Sequence, residues 1–257
     1  MVHTIAVLSD THGVLPTLEA VLAEPDVQAA DLVVVTGDLA AGPQPGEVLD
    51  RLVGLGERVQ LVRGNADRDL VALARGETAP PGLPAIDRWA AQQLSAEQVE
   101  LLASLPHPWT VDLTGVGEVL FCHGSPRDDN EVVLVDTRPS RWAEAFAGLP
   151  DSVRVVCCGH THMPFARLVD RRWVVNSGST GMPYGSTGVP WALLDSRGVH
   201  LRTTPIDPEA AGAAVIGGSS FPQVVEWVEE YVVHRASDLE ALDAFGVRDG
   251  RGPGWNE

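Results

Sequence analysis

Thr4-Ile5-Ala6-Val7-Leu8-Ser9-Asp10-Thr11-His12-Gly13 is a short apolar, β-branched run that breaks off into a polar loop closed by glycine. An unbroken apolar run of this length reads as a strand buried on both faces, and this one delivers an acid and a histidine at its end. The period then changes: Pro16, Leu18, Val21 and Leu22 form an apolar stripe at helical spacing, with Pro16 in the first turn. Leu32-Val33-Val34-Val35-Thr36 is a second such strand, running into Gly37-Asp38. Val48, Leu49, Leu52 and Val53 mark one face of a helix over residues 45–55, and Val59-Gln60-Leu61-Val62 is a third strand, followed by Gly64-Asn65-Ala66-Asp67. This β-α-β-α-β alternation predicts a parallel sheet joined by right-handed crossovers.

Further along, residues 68–107 read as a helical insertion, a cap or lid broken by Ala79-Pro80-Pro81-Gly82-Leu83-Pro84, with Ser95 and Gln98 marking a helix start. Residues 109–113 and 118–121 form a hairpin whose second strand ends at Cys122-His123-Gly124. A loop through Pro126-Arg127-Asp128-Asp129-Asn130 and a helix over 139–149 precede the strand Val153-Arg154-Val155-Val156-Cys157-Cys158. That strand ends at Gly159-His160-Thr161-His162, and because residues two apart on a strand share a face, the two histidines can project together. Residues 165–169 and 173–176 make a further hairpin. Residues 191–194 and 200–204 flank a turn and should continue this second, mainly antiparallel sheet.

The expected organisation is a main domain over residues 1–205 and a C-terminal helical extension over 206–257. Helices are expected over 208–215, 222–233 and 238–245, then a loose tail over 248–254. Val224, Val225, Trp227, Val228 and Tyr231 make the middle helix broadly apolar, so it should pack on the body or on a partner, which leaves homo-oligomerisation open.

With 257 residues and 44% hydrophobic content the chain can bury a sizeable core. A formal charge of −17 gives no basic footprint for non-specific binding to nucleic acid or to an anionic membrane. No apolar run approaches the roughly 20 residues that span a bilayer. Met1-Val2-His3-Thr4 lacks the basic opening of a signal peptide, so a cytoplasmic location is expected. Cys122, Cys157 and Cys158 are odd in number, with two adjacent on one strand; they read as core residues rather than a disulfide framework.

Five strands thus end in groups that can ligate a metal: Asp10 with His12, Asp38, Asn65, His123, and His160 with His162. Taken singly, a Gly-Asp or Gly-Asn pair is a turn and an isolated histidine packs. The recurrence at strand ends is the signal, because open α/β sheets bind ligands in the crevice at their carboxyl ends. Oxygen and nitrogen donors without sulfur suit Mn²⁺, Fe²⁺ or Zn²⁺. Seven such residues are too many for one ion with an open position and suit two, with a carboxylate such as Asp38 able to bridge.

At these residues the chain resembles the calcineurin-like metallophosphoesterases, nearest to their bacterial phosphodiesterase-like branch, and the likeness runs from Thr4 to about Leu194. The resemblance implies an α/β fold, a four-layer α/β/β/α sandwich of two mixed sheets. It implies that Asp10, His12 and His162 hold one divalent transition-metal ion and Asn65, His123 and His160 the other, with Asp38 bridging. Mn²⁺ stands first, with Fe, Zn or Ni as alternatives. The implied activity is hydrolysis of a phosphodiester or pyrophosphate bond in a small or nucleotide-like substrate by a metal-bridging hydroxide. Asp38, Asn65 and His123 form its catalytic set, with Asn65 also reaching the substrate. A phosphomonoesterase or protein phosphatase is the alternative activity, and a non-catalytic metal-binding scaffold of the same fold is the alternative of another class.

Two positions depart from the family pattern. Many relatives carry a histidine directly after the asparagine, where this chain has Ala66; Asp67 reads as a loop acceptor rather than a replacement acid. Close relatives often place an arginine near the position of Tyr184, so Arg127 and Arg63 are the candidates to grip the substrate in its place, each otherwise a surface or structural arginine.

Overall fold

The computed structural model describes residues 1–185 and 187–250. Strands β1 (Ile5–Leu8), β2 (Leu32–Val35) and β3 (Val59–Leu61) pair in parallel, with Val7 opposite Val34 and Val34 opposite Gln60. Helices α1 (Leu15–Leu22), α2 (Pro25–Ala29) and α3 (Pro45–Val53) make the crossovers between them. α4 (Asn65–Ala74), α5 (Ala85–Gln93) and α6 (Ala96–Ser104) follow β3. The second sheet orders β4 (Trp109–Leu113), β5 (Gly117–Phe121), β6 (Val153–Cys158), β8 (Arg172–Asn176) and β7 (Phe165–Val169) in space, with α7 (Pro139–Ala145) on its outer side.

Side-chain alternation divides the interior into layers. Ile5 and Val7 of β1, Val34 of β2, Phe121 of β5 and Cys157 of β6 meet between the sheets. Ala6 and Leu8, one residue out of phase, face Leu18, Leu49 and Leu52 of the helices covering the first sheet. Cys158 and Leu120 face Trp142 and Phe146 on the far side of the second. The result is the expected four-layer α/β/β/α sandwich of two mixed sheets. Phe121, fully buried at its centre, is a position where truncation to Ala costs about 3–5 kcal/mol.

Two expectations change. The hairpin of β9 (Val189–Asp195) and β10 (Gly198–Thr204) joins the first sheet, not the second: β9 runs antiparallel against β1, with Val7 opposite Ala192, giving the order β10-β9-β1-β2-β3. All seven residues of β9 are buried, so it needed a covered position beside β1. The insertion is not a detached cap, because Leu70, Val71, Ala90, Val99 and Leu102 of α4–α6 lie in the same core as β1 and β2. What is left exposed is the Pro-rich connection around residues 77–84.

The C-terminal extension also folds back on the body. Its helix α8 (Pro208–Gly218) is capped by Asp207, which accepts the N–H groups of Glu209 and Ala210. Helix α9 (Val224–Val228) runs on through a π-helical turn over Glu229–His234, and Trp227 packs with Phe221, Val14 and Ile86 of α5, so the apolar middle helix finds the body. Helix α10 (Asp238–Gly246) starts on a Ser237–Glu240 capping box and sets Leu242 and Phe245 against Val132, Leu134, Met163 and Tyr184. The start of the segment read as a loose tail is held in place: Asp249 is buried and accepts the Thr137 hydroxyl at 2.7 Å, and Arg138 donates to the Gly250 carbonyl at 3.1 Å. Residues 251–254 of that segment lie outside the described residues. No described helix is long and apolar enough to cross a membrane.

Candidate metal centre

Backbone hydrogen bonds tie the strand-end loops together. Asp10 N–H donates to Gly37 O at 3.0 Å, His12 N–H to Asp38 O at 3.0 Å, and Gly159 N–H to His123 O at 2.8 Å. Gly37, at φ +102°, backs onto Gly64 so closely that a Cβ there would stand 2.6 Å from the Gly64 Cα, which is why both loops turn on glycine. Asp10, His12, Asp38, His160 and His162 all have positive φ, between 45° and 67°. Each non-glycine residue held there costs about 1–3 kcal/mol, so five expected ligands occupy strained backbone that the surrounding fold imposes.

The rings are oriented from behind. His12 Nδ1 lies 3.1 Å from Ala41 O, His123 Nδ1 2.7 Å from Thr36 O, and His162 Nδ1 2.9 Å from Met182 O. A carbonyl only accepts, so each Nδ1 carries a proton and each ring turns its Nε2 to the interior. There His12 Nε2 and His162 Nε2 stand 3.1 Å apart. With both Nδ1 atoms donating to carbonyls, that approach calls for a proton or a metal ion between the two Nε2 atoms. Asp10 Oδ1 is 3.2 Å from His162 Nε2 and 3.9 Å from His12 Nε2. Asp38 Oδ2 is 3.2 Å from His123 Nε2 and 3.7 Å from His12 Nε2, between the two groups.

The donor atoms fall into two clusters, Asp10 with His12 and His162, and Asp38 with His123 and His160. All six residues are buried. Asn65, the first residue of α4, directly follows Gly64, whose backbone stands against Asp38, and its Oδ1 is buried without a hydrogen-bond partner. His123 Nε2 is likewise unpartnered, at 3.2 Å from Asp38 but without hydrogen-bond geometry. Orphaned buried polar atoms among carboxylates are what a divalent-cation site looks like from the protein side, so the residues fit the implied ions.

Burial pulls the His123 imidazole down, but Asp38 and Asp10 outweigh it and raise it to about 10, so without an ion this ring carries the positive charge that a metal would supply. Burial pushes the Asp10 and Asp38 carboxyls up, but neighbouring imidazoles, His162 and His123 for Asp10 and His123 and His12 for Asp38, outweigh it and hold both below the ordinary range. Burial drives His160 down to about 3, with His123 adding to the effect, so its ring is neutral. Behind this shell Asp67 accepts three backbone N–H groups, from Asp38 at 2.9 Å, Leu39 at 2.8 Å and Gly64 at 2.8 Å, the loop-acceptor role expected of it. Ala66 N–H in turn holds Asp38 Oδ1 at 2.8 Å. Asp87 on α5 has its carboxyl raised to about 7 by burial and by Asp38 and Asp69.

Arg127 and Arg63 take the structural alternative. Arg127 forks onto Glu131, with Nε at 2.9 Å and Nη2 at 2.5 Å, and Arg63 pairs with Asp129 at 3.1 Å. Both are committed to structural ion pairs. Instead Arg248, just beyond α10, sets Nη2 3.0 Å from His160 Nε2, and Phe245 packs edge-on to the His160 ring with centroids 6.1 Å apart. No local pattern marks this contact, which spans 88 residues.

Residues 4–198 match the family described as the calcineurin-like phosphoesterase superfamily domain. The chain belongs to the calcineurin-like phosphoesterase superfamily. It is 23% identical to phosphodiesterase YfcE of Escherichia coli over 197 residues, 73% of this chain and 85% of that protein, in keeping with the bacterial phosphodiesterase-like branch. It is 24% identical over 224 residues to the uncharacterized protein MJ0912 of Methanocaldococcus jannaschii, covering 79% of this chain and 87% of that one. Among solved structures, a metallophosphoesterase from Sphaerobacter thermophilus superposes with TM-score 0.68 at 22% identity over 90% of this chain and 99% of the other. The hypothetical protein PH1004 from Pyrococcus horikoshii does so with TM-score 0.73 at 20% identity over 91% and 99%. Both share the fold.

Proposed function

We propose that this superfamily member is a metal-dependent phosphodiesterase or pyrophosphohydrolase acting on a small or nucleotide-like substrate. The observation that carries the reading is the convergence of ring nitrogens on two buried carboxylates, above all the 3.1 Å approach of His12 Nε2 to His162 Nε2. Asp10, His12 and His162 would hold one divalent transition-metal ion, and Asn65, His123 and His160 the other. Asp38, whose Oδ2 lies near both His12 and His123, would bridge. When bound, such a pair of ions polarises phosphoryl oxygens and lowers the pKa of water.

The chain's own groups supply orientation. Carbonyls of Ala41, Thr36 and Met182 fix the imidazole tautomers. Asp67 and Ala66 N–H hold the Asp38 loop. Burial of Asp10 and Asp38 keeps bulk water from screening the site. Five ligands held in strained backbone favour catalysis over a scaffold role, which would have no use for that strain. The unpaired cysteines suit a reducing compartment, which supports a cytoplasmic location.

The test is a panel of phosphodiesters, pyrophosphates and monoesters assayed on metal-stripped protein reloaded with Mn²⁺, Ni²⁺, Zn²⁺ or Mg²⁺. Diester or pyrophosphate turnover that appears only with a transition metal is the expected result. No metal-dependent turnover across the panel would overturn the reading.

A further inference from the structure

Arg248 reaches the metal centre from the far end of the chain. Its Nη2 lies 3.0 Å from His160 Nε2, 2.6 Å from Asn130 Oδ1 and 3.1 Å from Asn130 O, and its guanidinium carbon sits 5.7 Å from the centre of the Phe245 ring. Phe245 in turn packs on Tyr184, centroids 6.3 Å apart, and Tyr184 lies 5.8 Å from the His162 ring. Arg248 is exposed while His160 is buried, so the guanidinium stands on the solvent side of the second ligand cluster.

A neutral imidazole has one lone pair and one N–H. When an ion takes the lone pair at either ring nitrogen, the other nitrogen carries the proton, and His160 then offers nothing for a guanidinium to donate to. The contact with Arg248 and ligation through His160 therefore exclude each other. With His160 engaged, the two N–H groups of Arg248 Nη2 stay on Asn130 Oδ1 and O, and Nη1 and Nε, which have no partner among the described residues, are left beside the ligands to donate. A phosphoryl oxygen is a fitting acceptor, because guanidinium binds phosphate with charge-assisted hydrogen bonds from a planar fork.

We propose that Arg248, carried by the C-terminal extension, is the residue of this chain that grips the substrate's phosphoryl group, so that the extension completes the site. The proposal rests on the phosphoesterase reading above. It assigns to Arg248 the part expected of Arg127, whose fork is already closed on Glu131.

The experiment compares full-length wild type, R248Q, R248K and N130A, each reloaded with Mn²⁺. Calorimetry measures the affinity for inorganic phosphate, and a separate titration of stripped protein measures the affinity for Mn²⁺ without phosphate. R248Q should weaken phosphate binding about tenfold or more, the loss of one charge-assisted contact. R248K should recover part of it, and N130A should weaken it less than R248Q. Mn²⁺ affinity should hold or rise in R248Q, because a competitor for His160 has been removed. A merely structural arginine would not weaken phosphate binding while leaving Mn²⁺ affinity intact or raised.

Phosphate affinity in R248Q within about twofold of wild type, with Mn²⁺ bound normally, would overturn the proposal, as would loaded wild type that binds no phosphate. If wild type hydrolyses diesters while R248Q binds phosphate unchanged, the arginine role fails and the phosphoesterase reading stands. Arg248-dependent phosphate binding without turnover of any ester supports the clamp and removes the activity.

Discussion

His12 and His162 confront each other Nε2 to Nε2 at 3.1 Å, each held from behind by a carbonyl that accepts from its Nδ1. Such a pair needs a proton or a metal ion between its nitrogens, and the unpartnered His123 Nε2 is a further position an ion would satisfy. Elemental analysis after reconstitution should find two transition-metal ions per chain. D38N should lower occupancy of both positions, since Asp38 lies between the clusters, whereas H12A should chiefly empty one. Equal loss at both positions from H12A would show that the partition is wrong.

Asp67 should matter for stability although it touches no ligand atom. It accepts three backbone N–H groups that fix the turns carrying Asp38 and Asn65. D67N sets an NH₂ against at least one of these donors and should cost about 2 kcal/mol or more, with weaker metal retention. Urea denaturation of stripped protein isolates the first effect, and an unchanged midpoint would count against it.

Asp87 should make stability depend on pH in a defined direction. Its carboxyl is raised to about 7 in the folded protein against an ordinary value of 3.8. The stability it contributes is therefore complete below the unfolded value and is lost as pH rises through about 7. D87N, which mimics the protonated form, should melt above wild type at alkaline pH, with the gap closing as the pH is lowered toward 3.8. A gap that is constant across that range would mean Asp87 does not titrate there.

Ala66 should leave its mark on leaving groups. Its backbone N–H is engaged with Asp38 and its side chain offers no proton. Protonation of the departing oxygen then falls to water or substrate, and the rate should depend steeply on leaving-group acidity, with aryl esters far ahead of alkyl esters. A66H should help poor leaving groups most and flatten that dependence. Its gain should be well short of the 10²–10⁴-fold typical of a positioned acid, because nothing fixes the new ring's orientation. Insensitivity in wild type, with chemistry rate-limiting, would show that another group supplies the proton.

Much of this was legible because it is local. Strand ends at Asp10, Asp38, Asn65, His123 and His160 are marked by a change of period and polarity within a few residues. The sheet assignment of β9 and β10 was not, because a hairpin pattern says that two strands pair with each other and nothing about the third strand beside them. Burial of all of β9 was the missing fact. The insertion read as a cap because proline and polarity interrupt it, yet its apolar positions Leu70, Ala90 and Leu102 belong to the main core. Arg127 was chosen for its place in a loop near the site, but Glu131, four residues on, closes its fork. Arg248 carries no motif, since its partners Asn130 and His160 lie 118 and 88 residues away and only the docking of α10 joins them.

Cys157 and Cys158 are neighbours that look into different interiors, the first between the sheets and the second beneath α7 with Cys122. Burial raises all three thiols above their ordinary range, so the folded chain gives alkylating reagents almost no thiolate to attack. Labelling then becomes a clock for opening. Modification at Cys157 reports separation of the two sheets, modification at Cys122 or Cys158 reports release of the outer helix, and the two rates tell which layer of the sandwich yields first.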